Sequence, residues 1–79
     1  MTEYTYTVLI EPADEGGFLV TCPALPGLVT EGETMEEARS MAEDAIRGYI
    51  ESLRKDHLPP PSDKMPVKET IRVLFPELA

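Results

Sequence analysis

The run Cys22-Pro23-Ala24-Leu25-Pro26-Gly27-Leu28-Val29-Thr30-Glu31-Gly32-Glu33-Thr34-Met35-Glu36-Glu37-Ala38 joins a reversal, a short extended stretch and a helix start. In Leu25-Pro26-Gly27-Leu28, Pro26 presets the φ that a type II turn needs at its second position, and Gly27 supplies positive φ at the third. The residues after Gly27 are mostly compatible with a strand, predicted over 28–31. Thr34 with Glu37 three positions later is a capping-box pattern, in which the hydroxyl accepts the Glu37 N–H and the carboxylate reaches back. A helix is therefore predicted to begin at Met35. Every residue of this run has a purely structural explanation, and none is arranged for chemistry.

Upstream, residues 4–11 alternate, with Tyr4, Tyr6, Val8 and Ile10 on one face and Thr5, Thr7, Leu9 and Glu11 on the other, the pattern of a half-buried strand. Pro12-Ala13-Asp14-Glu15-Gly16-Gly17 supplies turn chemistry, and residues 18–22 resume β character with Phe18, Val20 and Cys22 on one face. An antiparallel hairpin follows. Downstream, Ala38, Ala42, Ala45, Ile46, Tyr49, Ile50 and Leu53 recur at helical spacing as one apolar stripe, while Glu36, Glu43, Asp44, Arg47, Glu51 and Arg54 fall mainly opposite. Acids gather in the first turn and Arg54, Lys55 and His57 at the end, matching the partial charges of a helix. The small alanines predict a close approach to a sheet.

Three consecutive prolines, Pro59 to Pro61, stop the helix and open a stiff, proline-rich connector over 58–66. Residues 70–75 alternate again, with Ile71, Val73 and Phe75 on one face, and predict a last strand. One helix and four strands can bury the helix stripe only by laying it across one face of the sheet. The expected fold is thus a two-layer α+β domain, β-β-β-α-β, occupying residues 1–79 as a single unit. The opposite sheet face still carries Leu9 and Leu74 and offers a place for subunits to meet.

A chain of 79 residues buries a small share of its surface. One cysteine and one histidine provide neither a disulfide nor a structural zinc site, so self-association into a dimer or tetramer is the expected route to stability. No secretion signal or membrane-spanning stretch is present, and a cytoplasmic location is expected. Fifteen acids against seven bases give a net charge of −8. That charge repels phosphate backbones, argues against direct nucleic-acid binding, and suits a basic partner. Simple solubility explains it equally well.

No constellation points to catalysis, a metal or a cofactor. Glu11, Asp14, Glu15, Glu31 and Glu33 lie at predicted strand ends or turns where a cation could sit, but exposed turn acids are ordinarily solvated and no histidine is near them in sequence. Asp56 and His57 could pair as orienter and base, yet a terminal histidine more simply answers the helix dipole. Cys22 is read as a packing thiol. Phosphate loops, nucleophile elbows and paired-cysteine motifs are missing.

The order of strand, hairpin, Pro-Ala-Leu-Pro-Gly, short strand, Gly-Glu-Thr-Met-Glu-Glu-Ala and Ala-Glu-Asp-Ala-Ile resembles the HicB-like family, the antitoxin side of HicA/HicB toxin–antitoxin systems. The likeness covers nearly the whole chain and rests on Pro23, Leu25, Pro26, Gly27, Gly32, Thr34, Glu37 and Ala38, supported by Glu43, Ala45 and Ile46. It implies a partial ribonuclease-H-like sheet of order 3-2-1-4 whose last strand runs parallel to the first. It also implies a small basic HicA-like ribonuclease toxin as partner, blocked by occlusion. Many family members carry a C-terminal DNA-binding segment, and a chain ending at Ala79 is expected to lack one.

The leading expectation is a non-enzymatic, oligomeric antitoxin-like domain. Asp14, Glu15, Glu36, Glu43 and Glu51 are its candidate partner contacts, and ordinary solvation explains each of them as well. The rivals are a stand-alone regulatory or scaffold module with another protein partner, and a small-molecule-binding protein or enzyme using a cleft beside residues 23–27.

Overall fold

The structure is a computed structural model and describes residues 1–77. The last two residues of the expected domain, Leu78 and Ala79, lie outside the described residues. Three strands, β1 (Leu9–Pro12), β2 (Phe18–Thr21) and β3 (Val29–Gly32), precede one helix, α1 (Met35–Lys55). The sheet is antiparallel, in the order β1-β2-β3. Its register sets Leu9 opposite Thr21 and Pro12 opposite Phe18, then Phe18 opposite Gly32 and Thr21 opposite Val29.

From Tyr6 onward the alternation in the hairpin arms places side chains as expected, whereas Tyr4 is exposed. Val20 and Cys22 are buried, and Tyr6, Val8, Ile10 and Phe18 pack half-buried beside them. The opposite face, with Leu9, Leu19 and Val29, is open. The first strand is shorter than residues 4–11, because β2 ends at Thr21 and the chain then turns away, leaving residues 4–8 extended without a ladder partner.

That turn is double. Leu25 N–H donates to the Cys22 carbonyl at 3.0 Å, and Leu28 N–H to the Leu25 carbonyl at 3.1 Å, with Gly27 at φ 85° as the proline-glycine pair requires. Leu25 drops to full burial with Cys22 and Leu28, and Ala45, Ile46 and Tyr49 of the helix close over them. A second cluster joins Val20 to Ala38 and Ala42.

The helix starts at Met35 with Thr34 as its cap, whose hydroxyl accepts the Glu37 N–H at 3.0 Å. Ala38, Ala42 and Ile50 are buried along its inner face, and the helix lies over β3 and, less extensively, β2. Gly32 permits this approach, since a methyl group there would collide with the backbone of Ala38 and sit 2.8 Å from the Glu37 carbonyl carbon.

The expected fourth strand is where the structure departs from expectation. Residues 70–75 are not paired, and the sheet holds three strands of the order 3-2-1-4. From residue 61 to residue 77 the chain is exposed throughout, with Ile71 at 73%, Val73 at 65% and Phe75 at 85% of full accessibility. The radius of gyration is 16.8 Å, against about 12 Å for a compact chain of this length. The reason is register. Asp63 is tied to Thr7, so the chain runs out past the end of β1 before reaching Thr70.

Candidate docking surfaces

The Pro23 to Gly27 turn is scaffold. Tyr49 Oη donates to the Pro26 carbonyl at 3.0 Å, pinning the middle of the helix to the turn, and Ala24 and Leu25 are buried. With Gly32, Thr34, Glu37 and Ala38 shaping the helix start, the motif builds the layer that carries the surfaces.

Hairpin geometry then gathers acids at one end. The loop between β1 and β2 closes through Ala13 N–H to the Gly17 carbonyl (3.0 Å) and Gly16 N–H to the Ala13 carbonyl (3.1 Å). The pairing of Phe18 with Gly32 sets that loop beside the end of β3 and the start of α1. An open cleft of about 640 Å³ results, lined by Asp14, Glu15, Glu31, Glu33 and Glu37, and no basic side chain lines it. The positive end of the helix dipole, near Glu36 and Glu37, offsets part of the repulsion.

The remaining contact candidates lie elsewhere. Glu43 and Glu51 line a groove of about 670 Å³ between the inner edge of α1 and residues 2–8, where Arg39, Arg47 and Arg54 neutralise them. Glu43 is bonded to Arg47 at 3.0 Å. Glu36 is exposed in the first helical turn and lines neither cleft nor groove. The structure therefore brings together Asp14, Glu15, Glu31 and Glu33, four of the five acids named from the sequence as places where a cation could sit, and adds Glu37 of the helix start. Glu11 does not line the cleft. Glu37 is the member that sequence reasoning missed, because only the hairpin register carries the loop to the start of α1.

Groups with chemical potential are placed structurally. Among the described residues, no group of three or more His, Cys, Asp or Glu is arranged to hold a metal ion. Cys22 is buried in the core. His57 takes φ 58° just past the helix, where its N–H donates to Arg54 O (3.1 Å) and the next N–H, of Leu58, to Leu53 O (2.8 Å), a Schellman closure. Near the connector, the Tyr6 hydroxyl donates to the Pro61 carbonyl. Desolvation, and then Cys22, Tyr4 and Asp63, push the Tyr6 phenol above its ordinary pKa. No helix among the described residues is long and apolar enough to cross a membrane.

Comparison with known proteins adds identity to this geometry. Residues 6–72 match the model of a family described as the HicB_like antitoxin of bacterial toxin-antitoxin systems. The chain is 45% identical to UPF0150 protein ssr1765 of Synechocystis over 82% of either chain. It is 47% identical to UPF0150 protein Ta0767 of Thermoplasma acidophilum, covering 73% of this chain and 84% of that one. It is 43% identical to Antitoxin HicB 1 of Photorhabdus laumondii over 71% of this chain and 39% of that longer protein.

Proposed function

Because the chain belongs to the HicB-like antitoxin family, we propose that it acts as a single protein-binding domain that neutralises a small, basic, RNA-cleaving toxin by covering its surface. The observation that carries this reading is the family match across residues 6–72. The cleft of five carboxylates without a basic neighbour supports it, offering a cationic partner a concentrated negative potential. Asp14 and Glu15 are then the partner contacts of greatest weight, with Glu31, Glu33 and Glu37 beside them. Glu36, Glu43 and Glu51 contribute at the margin. On this reading the protein is not an enzyme, uses no cofactor, binds no nucleic acid directly, and acts in the cytoplasm. The sheet of its working form is the partial ribonuclease-H-like order 3-2-1-4.

Co-expression with the product of a short basic reading frame adjoining the gene tests the proposal. Rescue of growth is expected, together with an association rate that falls steeply with added salt and drops about tenfold in Glu31→Lys/Glu33→Lys, as for steered encounters. Failure to rescue overturns the antitoxin role. Rescue with a salt-insensitive rate overturns the electrostatic part alone.

A further inference from the structure

Residues 70–75, Thr-Ile-Arg-Val-Leu-Phe, have the alternation of a strand and no partner for it. In the folded chain neither edge of the sheet is paired with them. Asp63 is fixed on Thr7, and residues 66–69 pass Leu9, Ile10 and Glu11 across an open cleft of about 590 Å³. With β1 ending at Pro12, the next residues run beyond the sheet. Meanwhile β1 is an edge strand, and among the described residues no backbone hydrogen bond joins residues 64–77 to it. The same chain thus carries an unpaired strand edge and an unpaired strand-forming segment that it holds out of register with each other.

We propose that residues 70–75 of one copy add as a fourth strand to the β1 edge of a second copy, and that the second copy returns the exchange. Exchange of identical elements between protomers follows when each has an open edge and a tethered segment that cannot close on itself. The side chains of the two strands match. On the helix side, Ile71, Val73 and Phe75 extend the layer that Ile10 and Val20 begin. On the open side, Leu74 extends the face that carries Leu9, Leu19 and Val29, and Arg72 falls on that face beside the strand that carries Glu11. Charge agrees: residues 1–63 hold 13 acids and 4 bases, whereas residues 64–77 hold 3 bases and 2 acids. Antiparallel pairing of arm with arm about Thr70 would instead set Lys68 of one copy against Arg72 of the other. The inference does not depend on the toxin reading.

Light scattering on the full chain at micromolar concentration should give twice 8.8 kDa or a multiple of it. Val73→Asp/Phe75→Asp should reduce this to the mass of one chain with helical circular dichroism retained. When Leu9→Cys and Leu74→Cys chains are mixed and treated with a short bismaleimide, a covalent dimer containing one of each should form, while the buried Cys22 stays unreactive. A single-chain mass for the unaltered protein overturns the proposal. So does an assembly that survives the arm variant, or cross-linking confined to Leu74→Cys with itself.

Discussion

The Asp63 carboxylate accepts two hydrogen bonds from Thr7, one from its backbone N–H at 2.8 Å and one from its hydroxyl at 2.7 Å, across 56 residues of chain. This contact, with the Tyr6 hydroxyl on the Pro61 carbonyl, sets where the proline connector ends and which residues run past the sheet. The two Thr7 donors hold the Asp63 carboxyl below its ordinary value of 3.8. The sign follows: the tether is fully present above that ordinary value and is lost as pH falls through the depressed one.

Asp63→Ala should release the connector. Trypsin cleavage after Lys64, Lys68 and Arg72 is expected to accelerate several-fold at neutral pH while the helix remains folded, and unaltered protein should approach the variant's rate of amide exchange in residues 62–69 only in acid. Equal cleavage rates for the two proteins would show that the tether does not hold in solution.

Gly32→Ala should be costly although it adds a single methyl. The new Cβ would lie against the Ala38 backbone, which the helix cannot move without lifting from β3. A loss of about 1–3 kcal/mol is expected, as for other overpacked sites. In thermal denaturation at fixed protein concentration, this corresponds to a fall of about 4–8 °C for each kcal/mol.

His57→Gly should act in the opposite direction. His57 occupies φ 58° to close the helix, a conformation that glycine adopts without a Cβ penalty. A gain of about 0.5–1 kcal/mol is expected, reduced from the full left-handed penalty by glycine's greater freedom in the unfolded chain. An unchanged or lower melting temperature would contradict it.

Local signals were legible where neighbours in sequence are also neighbours in space. The Pro26-Gly27 reversal, the Thr34 cap and the helix start at Met35 depend on backbone geometry within a few residues, so the chain announces them. The alternation of Tyr6, Val8 and Ile10, and the stripe of Ala38, Ala42 and Ile50, likewise marked the inner faces. The His57 closure escaped notice because a left-handed residue is announced by glycine and here is not.

The acidic cleft and the fate of the last segment belonged to the tertiary structure. Asp14, Glu15, Glu31, Glu33 and Glu37 meet only because the hairpin register carries one loop to the end of β3. Residues 70–75 have a strand's sequence, but pairing requires a free edge at the correct register, and the Asp63–Thr7 tether denies them one within the chain. Sequence by itself determined which segments have strand or helix character and which faces are apolar, because those depend on local sterics and periodicity. Only the folded molecule decided which segments find partners, because pairing depends on distances set by contacts between residues far apart in the chain.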